Sequence, residues 1–323
     1  MKQALIITFF LIYNVIASAQ TVRFYDAATN EPVSFATVSF GDGLGAFANA
    51  EGEFLFQKKR YPDIDTLFVS ALGYSDLKIV TSELEEAYAM QQEVDQLKEV
   101  VITTARRGKF KTREKKPVSH SDYHNSWLQT VESEIAVLFP KQEAKPTQLA
   151  TLLLPVNVKE AVSGKNIPVR KFSTLMRVKF YENEKGMPGK EISYGNIVFV
   201  IDEKAEKEVF ELDITSNNIF IPENGIFVSI QVLGPTDDSE NLIQTKTYNE
   251  YKTQRGIEKI AVSFRPLLPL TNQIQGQKTF VRRIFFNNKK WQVFDFNYNP
   301  NSVLLRNGYN NYGMGAEFRV YKE

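Results

Sequence analysis

The sequence predicts an all-β protein made of two successive β-sandwiches. Of its 323 residues, 24 are Phe and 14 are Tyr, which favour strands because flat side chains pack well on a pleated sheet. Apolar and polar residues alternate with period two over short segments, and Gly, Asn and Pro separate these segments. No segment keeps the period of about 3.6 residues that a long helix requires. Since single cores rarely grow beyond about 250 residues, we expect two domains.

The charged residues and the absence of Cys exclude several classes of function. The 39 Lys and Arg residues nearly balance the 38 Asp and Glu residues, and the net charge is +1. Such a chain has no overall field that attracts nucleic acid, so we expect no DNA or RNA partner. Without Cys there is no disulfide framework, thiolate metal site, Cys nucleophile or lipid-bearing Cys.

The first 19 residues have the three parts of a signal peptide. Lys2 supplies a positive start, residues 4–16 form an apolar stretch, and the tripeptide ASA at 17–19 is typical of a cleavage site. We therefore expect a mature chain that begins at Gln20 and is exported to the periplasm or to the outer membrane and cell surface. No stretch reaches the roughly 20 apolar residues that span a bilayer. The mature chain is thus predicted to have no transmembrane segment, and peripheral association with a membrane stays open.

Residues 20–104 are predicted to form the first sandwich. The stretch GAFANAEGEFLF, residues 45–56, places a tight reversal between two apolar runs, because Gly52 can adopt a positive φ. Phe54 and Phe56 then resume the alternation of a strand. Short strands separated by turns at this spacing indicate a sandwich.

The first sandwich also resembles a known family. The run TNEPVSFATVSFGDGLGAFANAEGEFLF, followed by DTLFVSALGYSDLKI, resembles the carboxypeptidase-regulatory-like domain, a small transthyretin-like β-sandwich. The likeness rests on a Pro-Val turn at 32–33, a Gly-x-Phe hairpin end at 52–54 and a Gly-Tyr pair at 73–74. The resemblance implies an accessory module. It implies no peptidase activity, because neither His120 nor His124 is followed by the Glu of the zinc-binding His-x-x-Glu pair.

Residues 105–118 are predicted to be a basic linker. Seven Lys and Arg residues occur within eleven positions here, with Glu114 as the single acid among them. A solvated linker and a patch that contacts an anionic surface, such as lipid headgroups or lipopolysaccharide phosphates, both fit this composition. Binding to such a surface would depend on salt. The candidate contact residues are Arg106, Arg107, Lys109, Lys111 and Arg113.

Residues 119–323 are predicted to form a second, jelly-roll-like antiparallel β-sandwich. Many short apolar segments are divided there by turn sequences such as GMPG at 186–189 and PENG at 222–225. So many short strands favour two sheets packed face to face. The stretches 176–192 and 209–234 are similar to an uncharacterised β-sandwich that follows the regulatory-like module in exported bacterial proteins. That likeness assigns no catalytic residue.

No catalytic, cofactor-binding or metal-binding residue is predicted. In HSDYH, residues 120–124, Ser121 takes the place where a zinc-protease helix has its Glu base, and the Gly-x-Ser-x-Gly motif of hydrolases is absent. Glu132 and Glu134 precede an apolar strand-like run, and we expect such alternating acids to face water. No cofactor is therefore expected.

Two tyrosines are the candidate ligand-binding residues of the second sandwich. Residues 297–318 are rich in Asn, Tyr and Gly, and exposed Tyr309 and Tyr312 on such a loop can stack on sugar faces. Tyrosines that pack inside turns at the rim of the sandwich are the alternative.

The sequence thus predicts an exported, non-enzymatic protein of the bacterial envelope. The first sandwich would be an accessory scaffold, and the loops of the second would bind a glycan or a protein partner, an expectation that rests on fold analogy. Two alternatives stay open. One is a hydrolase that acts on envelope polysaccharide or peptidoglycan, and the other is an accessory subunit of an outer-membrane complex, bound through an open strand edge.

Overall fold

A computed structural model describes five ranges of the chain: 19–93, 108–158, 171–205, 207–286 and 290–322. The protein is all-β, with several antiparallel sheets, and the predicted fold class is confirmed. Helix α1, Val303–Arg306, is a single turn. The predicted signal peptide lies outside the described residues except for Ala19.

The first sandwich has seven strands that form two sheets around one core. The strands are β1 (Ala19–Asp26), β2 (Thr37–Ser39), β3 (Gly45–Phe47), β4 (Glu53–Gln57), β5 (Thr66–Ser70), β6 (Leu77–Val80) and β7 (Ala87–Met90). One sheet has the order β4-β1-β7 and the other the order β3-β2-β5-β6. Both sheets contribute to one apolar core, for example through Phe24 and Phe54 from the first and Val38 and Leu67 from the second.

The reversal before β4 forms at the predicted glycine. Gly52 has φ +73°, and its N–H donates to the Asn49 carbonyl at 3.1 Å. The Asn49 side chain accepts the Glu53 N–H at 2.7 Å and closes the turn. A Cβ at position 52 would overlap the Phe24 carbonyl oxygen on β1. Glycine is therefore required here by both the backbone conformation and the close approach of β1.

The second sandwich is larger. Its strands are β8 (Phe110–Lys115), β9 (Ser126–Thr130), β10 (Ser133–Phe139), β11 (Thr147–Pro155), β12 (Ser173–Glu184), β13 (Met187–Asp202), β14 (Val209–Asp213), β15 (Ile226–Pro235), β16 (Tyr248–Thr253), β17 (Gly256–Ala261), β18 (Ser263–Thr271), β19 (Thr279–Arg283), β20 (Gln292–Val293), β21 (Asn311–Tyr312) and β22 (Gly315–Tyr321). A six-stranded sheet has the order β13-β12-β15-β10-β19-β20, and a four-stranded sheet has the order β14-β11-β22-β8. Side chains from both sheets, such as Val178 and Leu152, share one core.

Strand β8 occupies part of the predicted basic linker. It pairs with β22 over its whole length, and the Phe110 ring packs on Tyr321 with a centroid separation of 5.6 Å. Its charged residues are compatible with an edge strand, where one side of the strand has no neighbour in its sheet. The segment Phe110–Lys115 is therefore part of a sheet and not a free linker.

Residues 244–262 come from the second half of the chain but pack on the first sandwich. Tyr248 is fully buried in the first core. The Gln244 side chain accepts the Leu55 N–H and donates to the Glu53 carbonyl at 2.6 Å, so it pairs with the exposed edge of β4. The Thr247 hydroxyl donates to the Gly45 carbonyl at 2.8 Å. These contacts fix the first sandwich against the second.

A second set of contacts joins β2 and β3 to the end of β19. The Ser39 hydroxyl donates to the Phe285 carbonyl at 2.7 Å, and the rings of Phe47 and Phe285 lie 5.6 Å apart. Phe35 and Phe47 of the first sandwich belong to the apolar core of the second. The first sandwich thus covers part of the outer face of the six-stranded sheet.

Candidate functional site

A cleft of about 720 Å³ lies where the first sandwich covers the six-stranded sheet. We call it the interdomain cleft. One wall includes Ser34, Phe35 and Tyr74 of the first sandwich, and the floor is the outer face of β12, β13, β15 and β19. Its volume is within the range of about 300–1,000 Å³ that is usual for small-molecule sites.

A row of four polar side chains lies on this face of the sheet, and Arg177, Gln231 and Arg282 of this row line the cleft. Arg177 on β12 lies opposite Gln231 on β15, Gln231 opposite Glu134 on β10, and Glu134 opposite Arg282 on β19. Directly opposite residues of antiparallel strands project from the same face, about 4.5–5.5 Å apart. These four residues therefore form a continuous band, which we call the polar row. The alternate residues, such as Val178, face the apolar core.

Glu134, in the middle of the polar row, is fully buried and fully paired. Its carboxylate accepts hydrogen bonds from the Tyr181 hydroxyl at 2.7 Å, the Ser229 hydroxyl at 2.6 Å and Arg282 Nε at 2.8 Å. Burial alone would raise the pKa of Glu134, but the charge of Arg282 and these hydrogen bonds lower it overall. The carboxylate is therefore ionised.

The expectation that Glu132 and Glu134 face water is wrong. Glu132 is 8% exposed, and its Oε1 forms an ion pair with Arg283 Nη2 at 2.7 Å. Burial raises the pKa of Glu132, and the Arg283 charge opposes part of this shift. Both arginine partners lie on β19, which is far from β10 in sequence. The alternation of residues along β10 does not reveal these ion pairs with β19. It also does not show that the first sandwich covers this face of the sheet.

Lys179, in the next row of β12, also has an acidic partner. Its Nζ lies 2.9 Å from the carboxylate of Glu191 on β13, and both side chains are less than one-fifth exposed, at 18% and 17%. The Tyr181 hydroxyl lies 3.3 Å from the same carboxylate. Burial lowers the pKa of Lys179, although the Glu191 charge opposes this shift.

Arg177 has only neutral partners among the described residues. Its Nε and Nη2 donate to the Gln231 side-chain oxygen at 3.0 and 2.6 Å, and its Nη1 donates to the Phe35 carbonyl at 3.3 Å. The guanidinium carbon lies 5.3 Å from the centre of the Phe47 ring. The residue is 5% exposed, and burial lowers its pKa although the charges of Glu191 and Glu134 oppose this. An arginine stays protonated under such conditions, so the floor of the cleft holds a buried positive charge.

The two predicted ligand-binding tyrosines lie elsewhere. Tyr312 is fully buried, and its hydroxyl donates to the Pro155 carbonyl at 2.9 Å, so the predicted exposure of this ring is wrong. The reason is that β21 pairs with β18 and carries Tyr312 into the core. Tyr309 is half-buried, with its ring 5.8 Å from that of His120. Neither tyrosine lines the interdomain cleft.

The basic candidates are also remote from the cleft. Lys109, Lys111 and Arg113 are exposed at and beside β8, and Arg113 forms an ion pair with Glu143 at 3.1 Å. Arg106 and Arg107 lie outside the described residues. Contact of this segment with an anionic surface stays a prediction.

Neither histidine of HSDYH joins a cluster of metal ligands. His120 Nε2 lies 2.6 Å from the Leu270 carbonyl oxygen. Within the described ranges, no group of three or more His, Cys, Asp or Glu side chains is placed to hold a metal ion.

The chain matches no known family model, no curated protein and no solved structure. Its resemblance to the carboxypeptidase-regulatory-like domain therefore stays a prediction. Across the described ranges, no helix has both the length and the apolar character needed to cross a membrane.

Proposed function

We propose that the protein is an exported, non-enzymatic binding protein of the bacterial envelope that holds a glycan in the interdomain cleft. The single observation that carries this proposal is the cleft itself, which both sandwiches line with hydroxyl, amide and charged groups. Pockets with convergent polar groups are the usual sites of ligand binding. The first sandwich is then a wall of the site as well as a scaffold.

Sugar recognition suits the groups that line this cleft. Ser34 and Ser75 on the first sandwich and Ser193 and Asn196 on β13 present hydroxyl and amide groups, which donate and accept hydrogen bonds as sugar hydroxyls do. Tyr74 adds an aromatic ring on the same wall. This proposal places the ligand in the cleft, whereas the candidate ligand-binding residues from the sequence are Tyr309 and Tyr312.

Glu134, the buried acid beneath the cleft, supports a non-enzymatic role. Glycoside hydrolysis requires a carboxylic acid and a carboxylate on either side of the scissile bond. Glu134 is held by Arg282, and Glu191 is held by Lys179. The charge of Arg282 and the hydrogen bonds to Glu134 lower the pKa of this carboxyl group, so Glu134 is a poor proton donor.

Export is supported by the first 19 residues, which have the charge, apolar stretch and small residues of a signal peptide. A glycan of the envelope would meet such a protein in the periplasm or at the cell surface. Peripheral attachment to a membrane is compatible with this location.

A glycan array with the mature chain tests the proposal. Asn196→Trp adds a large side chain at the cleft, and Asn249→Trp makes the same exchange at an exposed position of β16 outside it. We expect Asn196→Trp to abolish the array signal and Asn249→Trp to retain it. Equal binding by both variants would contradict a site in the cleft. Release of reducing ends from a bound glycan would contradict the non-enzymatic role.

A further inference from the structure

We propose that Arg177 binds a carboxylate carried by an acidic glycan, so that the interdomain cleft selects ligands containing a uronic acid. This assignment rests on the proposed function and names the class of its ligand.

The charge balance around the polar row is the first argument. Among the described residues of the six-stranded sheet, three cations and two carboxylates lie together at or beneath the floor of the cleft. Glu134 pairs with Arg282, and Glu191 pairs with Lys179, which leaves the charge of Arg177 in excess. A buried charge without a counter-ion is costly, and an anion that enters the cleft supplies one.

The unused donors of Arg177 are the second argument. A guanidinium has five N–H donors, of which the three hydrogen bonds to Gln231 and Phe35 use three. The remaining two lie on Nη1 and Nη2, one on each nitrogen. Two donors on neighbouring nitrogens of a planar group suit the two oxygens of a carboxylate.

An acid near this position favours a singly charged ligand. Asp76 lines the cleft on the first sandwich. Its carboxylate adds negative potential that opposes a second negative charge on the ligand. A carboxylate therefore fits better than a phosphate dianion. The hydroxyl and amide groups of Ser193 and Asn196 beside it favour a sugar as the carrier of that carboxylate.

The test follows the side-chain Nε–H resonance of Arg177 in the mature wild-type chain, assigned through its contact with the Phe47 ring. Sodium glucuronate, glucose, inorganic phosphate and N-acetyl-alanyl-alanine are titrated at constant ionic strength. We expect a saturable shift with glucuronate and none with glucose. Phosphate and the dipeptide are expected to need a concentration at least about tenfold higher for half-saturation.

Two variants check the assignment by calorimetry. Arg177→Gln is expected to lower glucuronate affinity at least about tenfold, whereas Arg23→Gln, at an exposed position of β1, is expected to leave it unchanged. The wild-type titration decides the matter even if Arg177→Gln fails to fold.

No saturable shift with glucuronate, or an equal shift with glucose, would overturn the assignment. Tighter saturation by phosphate or by the dipeptide would overturn the uronic acid as the ligand class. A glucuronate response at Arg177 together with an array signal that Asn196→Trp leaves intact would refute the glycan function and retain the anion site. If Arg177 shows no glucuronate response but Asn196→Trp abolishes the array signal, the anion site is refuted and the glycan function is retained.

Discussion

Glu134 on β10 and Arg282 on β19 lie directly opposite each other and form an ion pair at 2.7 Å in which the carboxylate is fully buried. Burial of two opposite charges contributes little net stability, but removal of one of them leaves the other unpaired in a low-dielectric site. A substitution that removes one charge of this pair should therefore lower the free energy of unfolding more than a substitution that leaves both charges in place.

Glu134→Gln is expected to lower the free energy of unfolding by about 3–5 kcal/mol, because Arg282 loses its counter-ion. The matched control is Glu211→Gln, which breaks an ion pair with Lys207 whose side chains are 56% and 78% exposed. An exposed pair contributes about 0–1 kcal/mol, so this control should change stability by no more than that. Urea unfolding of the three proteins measures the difference. Equal losses in both variants would contradict the buried ion pair.

Substitution of the two arginines of the polar row should destabilise the protein to different extents. Arg282→Gln leaves Glu134 buried and unpaired and is expected to cost about 3–5 kcal/mol. Arg177→Gln leaves no carboxylate unpaired, since the partners of Arg177 are the Gln231 amide and the Phe35 carbonyl. We expect Arg177→Gln to lower the free energy of unfolding by about 1–3 kcal/mol, less than Arg282→Gln, because it removes a charged donor from two neutral buried acceptors. Denaturant unfolding in the absence of any ligand measures both losses, and a loss for Arg177→Gln that equals or exceeds the loss for Arg282→Gln would contradict the neutral environment of Arg177.

Because Lys115 on β8 is partly buried, we expect the free energy of unfolding to rise with pH. Its Nζ donates to the Gln277 side-chain oxygen at 2.8 Å and lies 4.7 Å from the centre of the Phe139 ring, and burial lowers its pKa from 10.5 to about 8. Between these two values the unfolded chain binds more protons than the folded one. The free energy of unfolding therefore rises as pH increases from about 8 to about 10.5, while below that window the cost of the buried charge is fully present.

Lys115→Met should remove this contribution. We expect the variant to be more stable than the wild type at pH 7.5 and to lose that advantage by pH 10.5, as measured by urea unfolding at both pH values. Lys111→Met, at an exposed position of the same strand, is the control and should show the same pH response as the wild type. A Lys115→Met variant with an unchanged pH response would refute the lowered pKa.

Gly52→Ala should destabilise the first sandwich more than Gly186→Ala. Both residues have a positive φ, +73° and +88°, so both substitutions carry backbone strain of about 1 kcal/mol. A Cβ at position 52 also overlaps the Phe24 carbonyl, whereas a Cβ at position 186 has no neighbour within 4 Å. Thermal unfolding compares the two variants. A similar loss for both would show that β1 adjusts to the added methyl group.

Much of the fold is readable in the sequence because turn chemistry and alternation are local. Gly52 forms its reversal where the pattern predicts it, and Phe54 and Phe56 lie on β4 with their side chains in the core, as their alternation predicts. The alternation of Arg177, Lys179 and Tyr181 with apolar residues also marks a polar face. It does not show that another sandwich covers this face.

The candidate site escapes sequence reasoning because it depends on contacts between distant residues. The partner of Glu134 lies on β19, and Phe35 of the first sandwich caps Arg177 on β12. Tyr312 is buried because β21 pairs with β18, although its neighbours in sequence resemble an exposed loop. A single sequence carries no signal for such long-range partners, since local periodicity specifies a face and not what covers it.

The position of Tyr248 has a consequence for the order in which the protein assembles. Its ring completes the core of the first sandwich, and Gln244 pairs with the edge of β4. Both residues follow β7, the last strand of the first sandwich, by more than 150 positions in the sequence. A nascent chain that has emerged only as far as residue 243 has the seven strands of the first sandwich but lacks these closing contacts. The first sandwich should therefore remain incompletely closed and protease-sensitive until residues 244–262 have been synthesised, and a fragment that ends at residue 243 is a poor choice for recombinant production.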